Sequence, residues 1–375
     1  MSASVTITPV THRGRRGMAI ANDLVEVVVL NGGGHIAAIM DRASGVNPLW
    51  SPGWPSLELE AYRPVVHEAA YGGPVAGRLL ASIMGHNICL DYFGDPSPAD
   101  LAAGLSTHGE APVAAWGIEG AGDRLVCTVD LPQSNLAFRR EIALAPGSRV
   151  VRFASTLTNR NDRPHAFGWC EHVTLGVPFL AGGATVCDMP ATWGRTFALA
   201  FGDHLRMRPE TEFTWPHIPA QRGGTLDARP APAEARSGDF STQLMDPARA
   251  QAWFTAWRPA GGILMGYVWQ RSDFPWIGNW EENRARTTAP WQGREYCRGM
   301  EFSTSPFPAG RDAAVTMAAL HGAPTFRTLP PRGAITVRFA AFIRSGVAAH
   351  PGTTDVVDTG RVVTVRSGGS VLEIA

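Results

Sequence analysis

Lysine is absent from this 375-residue chain: all 33 basic side chains are arginine. A Schiff base to a carbonyl substrate or to pyridoxal phosphate requires a side-chain amine, so both chemistries are excluded. The same absence excludes a Walker-type phosphate loop and the strand lysine of protein kinases. GC-rich coding accounts for the bias, since Ala, Arg, Gly and Pro are all abundant, and the exclusion holds whatever its origin. Long apolar runs are also missing. No stretch approaches the roughly 18 residues of a membrane helix, and mean hydropathy is −0.05. Charge of one sign is missing too, because 33 acidic residues balance the 33 basic ones, leaving no field to hold nucleic acid or an anionic membrane. The five cysteines form no CxxC pair, which fits a reduced cytoplasmic protein better than a disulfide framework. The opening MSASVTITPVTHRGRRG has no apolar segment ahead of its basic cluster, so no secretory signal is expected.

Strand patterns dominate what is present. Leu24–Leu30 and Gly34–Met40 are apolar or β-branched runs separated by Asn31-Gly32-Gly33, a turn signal. Alternation places Leu136, Phe138, Arg140, Ile142 and Leu144 on one face, with Arg140 as an interruption, and Ile335 to Ile343 repeats the pattern. Further strands are expected at 125–131, 149–157, 167–175, 263–270 and 313–320. Helical signals are few: Ser97-Pro98 and Asp246-Pro247 each resemble a cap followed by proline at the first helical position. This pattern predicts an all-β protein, a large antiparallel β-sandwich with few short helices. Residues 1–20 read as an N-terminal extension, 21–346 as the sandwich, and 347–375 as a β-rich tail packed on it. Pro216 to Asp239, rich in Pro, Ala, Gly and Arg, is the one candidate linker.

Three segments place proton-transfer side chains among strand and turn residues: Ser106-Thr107-His108-Gly109-Glu110, Trp169 to Gly176 containing Glu171-His172, and Gly299-Met300-Glu301 to Pro306. Each alone has a plain alternative, a hydrogen-bonded core histidine or a solvated strand-end glutamate. In this order they resemble the aldose 1-epimerase (galactose mutarotase) superfamily. His108-Gly109 with Trp116 resembles its His-Gly-Gly segment, His172 its Asn-His-x-Tyr-Phe strand, and Glu301 with Pro306 its Glu-x-Gln-x-x-Pro. Asn31 to Trp50 is similar to the family's opening hairpin, and Tyr71-Gly72-Gly73 with Gly77-Arg78 to its Gly-x-x-x-Gly-Arg turn.

The resemblance implies a supersandwich fold and a small-molecule carbohydrate partner, without a cofactor or bound metal. Glu301 would take the proton of the anomeric hydroxyl, His172 would protonate the ring oxygen, and His108 would assist. Ring opening, rotation about the first carbon–carbon bond and reclosure then invert the anomeric centre. The chain departs from the family where Ala81-Ser82 replaces Asn-Arg, where Ser303 replaces glutamine, and around His172, where Glu171 and Thr174-Leu175-Gly176 stand. These departures remove galactose or glucose as the implied substrate. Replacement contacts are expected from Arg78, His86, Asp91 and Glu110, with Trp280 stacking on a sugar face, although capping a turn serves His86 and Asp91 equally well. Two alternatives stay open. His108, Glu110, His172 and His86 form a ligand set for a divalent metal in a lyase or epimerase acting on an oxidised sugar. The fold also serves as a non-catalytic carbohydrate-binding module.

Overall fold

The computed structural model describes residues 4–197 and 204–375. Period-two alternation resolves into two large antiparallel sheets packed face to face. The fourteen-stranded sheet runs from the hairpin Thr6–His12 and Arg15–Ala21 through Val25–Leu30, Ile36–Asp41 and His86–Asp91 to the long central strand His165–Gly176. It continues through Tyr296–Ser303, Trp276–Asn283 and Ser237–Met245 to Ala191–Thr196 and three short edge strands. The eight-stranded sheet is centred on Ala334–Arg344, Val150–Asn159 and Leu136–Leu144. Among the described residues, no helix is long and apolar enough to cross a membrane.

The core lies between the sheets, where Ile88, Phe138, Phe153, Met300, Phe302 and Phe339 are nearly inaccessible. Phe302 stacks on Trp269 with ring centroids 4.3 Å apart, and each such burial contributes about 1.5–3 kcal/mol. Arg140, on the inward face of its strand, does not mark an edge. It pairs with the fully buried Glu171 of the opposite sheet. The C-terminal strands Asp355–Asp358, Val363–Ser367 and Ser370–Ile374 form a separate small sheet. Its Val356, Val363, Val365 and Ile374 cover Trp253, Leu264 and Phe342 on the outer face of the eight-stranded sheet.

Three local expectations are corrected. Asp246 accepts the Ala248 N–H at 2.9 Å, but this closes only a turn. The β-prone Trp253-Phe254-Thr255 then carries the chain into the strand Gln251–Arg258. The segment expected as strand 313–320 begins as the helix Arg311–Met317, with Asp312 in its first turn and helix-favouring alanines within it. The linker candidate is built into the sheet edge: it contains strands His217–Pro219 and Thr225–Asp227, and Ile218 and Ala228 pack with Met207 and Phe213.

Candidate active site

Successive strand residues point to opposite faces, and this parity positions the site. Glu171, Val173 and Phe302 face the core, so His172 and Glu301 face outward from the fourteen-stranded sheet. The two are directly opposite each other in adjacent strands. On the other side of His172 stands Asn87, and Cys170 stands opposite Cys89. The outward face is covered by the helix Gly73–Leu80 and by a second apolar cluster including Trp50, Trp54, Trp280, Trp291 and Phe240. Between them lies a cavity of about 270 Å³ lined by His108, His172, Trp280 and Glu301. That volume is near the small end for ligand pockets.

Glycines make room for the Glu301 carboxyl. A Cβ at residue 299 would lie 2.1 Å from Glu301 Oε1, and one at residue 278 would lie 2.9 Å from Oε2. His172 Nε2 stands 3.0 Å from Glu301 Oε1, but without hydrogen-bond alignment, and neither oxygen of this buried carboxyl has a hydrogen-bond partner among the described residues. His172 Nδ1 is held 3.1 Å from Thr174 Oγ1. His108 enters from a loop whose backbone is left-handed at His108 (φ 69°) and Gly109 (φ 85°). A side chain at 109 would collide with Leu90 O at 2.2 Å, which explains glycine after the histidine. His108 Nδ1 donates to Phe93 O at 2.6 Å, and its ring centroid is 5.0 Å from that of His172.

Electrostatics separates these three groups. Burial, reinforced by the Cys89 sulfur, pushes Glu301 up to about 8 despite the nearby His108 and Arg286. Burial would depress His108, but the Cys89 sulfur, the Phe93 carbonyl and Glu301 outweigh it and hold the imidazole at about 9. Cys89 moves the opposite way, to about 6: hydrogen bonds from Cys170 and His108 overcome its burial. At about 9, His108 keeps its proton at pH 7. His172 lies well below the ordinary histidine value because of burial and then the neighbouring His108 charge, so it is neutral at pH 7.

Four expected sugar contacts stand elsewhere. His86 lies between the sheets, its Nε2 2.6 Å from Glu171 and its Nδ1 3.2 Å from Tyr267 Oη. It completes the buried Arg140–Glu171 pair. Asp91 is engaged by His165 and by Arg311. Glu110 accepts the Gln133 and Ser134 N–H groups at 3.1 and 3.3 Å, capping a turn. Arg78 is exposed on the helix and does not line the cavity. With His86 and Glu110 so committed, the four-residue metal set does not converge, and among the described residues no cluster of three or more His, Cys, Asp or Glu is arranged to hold a metal.

Sequence patterning assigned no specific role to two further polar residues near the site. Arg286 lines the cavity, lies 4.1 Å over the Trp291 ring and pairs with Glu282 at 3.1 Å. Asn87 is buried, and neither of its amide atoms is hydrogen-bonded among the described residues. The signal for Asn87 and Cys89 was their alternation with His86 and Ile88, which required knowing which face is outward.

No protein-family model matches the chain, and no curated protein matches it. Solved structures do. A Klebsiella pneumoniae protein described provisionally as an aldose 1-epimerase superposes with a TM-score of 0.67 at 15% identity, over 92% of this chain and 85% of that one. A galactose mutarotase-like protein from Clostridium acetobutylicum gives 0.57 at 13% identity, over 91% and 99%. A TPR-domain containing protein from Parabacteroides distasonis gives 0.54 at 13%, over 91% of this chain and 53% of its own length. The chain thus has the galactose mutarotase-like fold that its ordered motifs implied.

Proposed function

We propose that the protein interconverts the anomers of an aldose or modified sugar by general acid–base ring opening. The observation that carries this reading is a buried carboxyl, Glu301, without a hydrogen-bond partner among the described residues, set against His172 at 3.0 Å in a monosaccharide-sized cavity. A base whose pKa lies near the working pH is well matched to removing a hydroxyl proton. Glu301, once ionised, takes the proton of the anomeric hydroxyl as the ring bond breaks. His108, the histidine that holds a proton at neutral pH, supplies one to the ring oxygen. This exchanges the roles that the motifs alone suggested for the two histidines. Neutral His172 lies between them and orients the reacting end of the sugar. Reclosure on the other face of the aldehyde returns both protons.

Exchange NMR on a panel of aldoses, deoxy sugars and uronic acids tests the proposal, with wild-type protein and Glu301→Gln compared. Accelerated exchange by wild type alone supports it, and its kcat/KM should rise with pH through about 8 and fall above about 9. Saturable sugar binding without acceleration of any sugar would leave a binding module. His108→Asn and His172→Asn separate the two histidines: the acid is the one whose loss abolishes the high-pH limb.

A further inference from the structure

We infer that the substrate is a deoxy sugar, one that turns a carbon without a hydroxyl toward the helix Gly73–Leu80. This rests on anomer interconversion at the site and narrows its substrate class. The cavity is chemically divided. Among the described residues, its titratable and hydroxyl groups come from the sheet floor, from the loops carrying Asp95, Thr107 and His108, and from Arg286. The helix and the turn after it contribute Ala76, Leu79, Leu80 and Ile83, and no polar side chain.

The segment has polar residues, but none is available to the cavity. Arg78 is exposed and does not line it. Ser82 turns its hydroxyl back on the helix, donating to the Arg78 and Leu79 carbonyls at 3.3 Å. Nor can the wall readily rotate to offer them. Ser106 Oγ and Thr107 N hold Val75 O at 2.8 and 3.2 Å, Trp54 Nε1 holds Leu80 O at 2.9 Å, and Leu57 N holds Ala81 O at 2.7 Å. A hydroxyl pressed against hydrocarbon gives up water and receives no partner, whereas a methyl or methylene there gains contact. An apolar pocket of this kind discriminates by about 10- to 100-fold for one such group.

The test is exchange NMR of matched pairs, glucose, galactose and mannose each beside its 2-, 4- and 6-deoxy analogue. At least one deoxy analogue is expected to show kcat/KM about 10- to 100-fold above its parent, and Ala76→Ser, which adds one hydroxyl to the wall, should cut that ratio severalfold. Turnover in which no deoxy analogue exceeds its parent overturns the substrate assignment and leaves the proposed activity standing. Absence of turnover with every sugar overturns the activity instead. Binding measured by line broadening on the same pairs then decides the wall's preference: tighter deoxy binding supports it, and equal or weaker binding refutes it.

Discussion

Replacing Glu301 by glutamine should abolish turnover and, at neutral pH, stabilise the fold. The carboxyl is 1% exposed, has no hydrogen-bond partner among the described residues, and is pushed up to about 8 from its ordinary 4.5. Between those values the unfolded chain has released this proton while the folded chain retains it. Rising pH therefore favours the unfolded state, and stability is lost progressively from about pH 4.5 to about pH 8. At about 1.36 kcal/mol for each pH unit, the cost at pH 7 is about 3 kcal/mol. Glutamine keeps the shape and the neutrality of the protonated acid, so Glu301→Gln should recover up to about that amount at pH 7 and almost nothing at pH 4.5. Turnover should fall by about 10²- to 10⁴-fold, the usual contribution of a positioned base. Urea unfolding of both proteins from pH 4.5 to 8.5 measures the difference. A variant less stable than wild type at pH 7, or two stability curves that run parallel with pH, would refute the argument that this carboxyl is held neutral by burial.

Three further outcomes follow from other parts of the molecule. Arg140→Met should destabilise by about 3–5 kcal/mol, because it strands the buried Glu171 charge. The double variant Arg140→Met/Glu171→Met should regain most of that in urea midpoints, and a double variant no more stable than the single one would count against the pairing. Cys89→Ala should lower the high-pH limb of kcat/KM from about 9 toward the ordinary histidine value, since the sulfur's contribution to holding the His108 proton is lost; an unmoved limb means that the sulfur does not raise His108. Trp280→Ala should raise KM about tenfold with kcat little changed, the equivalent of about 1.4 kcal/mol of ring contact. An equal loss in kcat would show that Trp280 shapes the reacting geometry.

Much of the sandwich could be read from the chain because alternation is a local property. Leu136 to Leu144 and Ile263 to Gln270 were expected as strands, and they are strands with those bounds. Errors arose where a local signal served two outcomes: an Asx turn at Asp246 mimics a helix cap, and alanines from 313 onward fit either element until the tertiary environment selects one. Of the residues expected to read sugar, Trp280 lines the cavity, whereas His86, Asp91, Glu110 and Arg78 do not. A polar side chain in an apolar strand gives the same sequence signal whether it serves a ligand or closes a buried ion pair.

The sequence by itself determined the chemistry available to this protein. Without lysine it forms no Schiff base, its strand periodicity demands two packed sheets, and its ordered histidine and glutamate segments point to proton transfer. Only the tertiary structure decided how these parts meet. Parity requires Glu171 and His172 to face opposite ways, but the packing of the second sheet sent Glu171 inward to Arg140 and His172 outward. Register between strands distant in sequence placed His172 directly opposite Glu301, and the loop geometry around Gly109 brought in His108. The protonation order of the three groups then follows from shared burial and the Cys89 sulfur. These depend on distance and solvent exclusion, which no local pattern encodes.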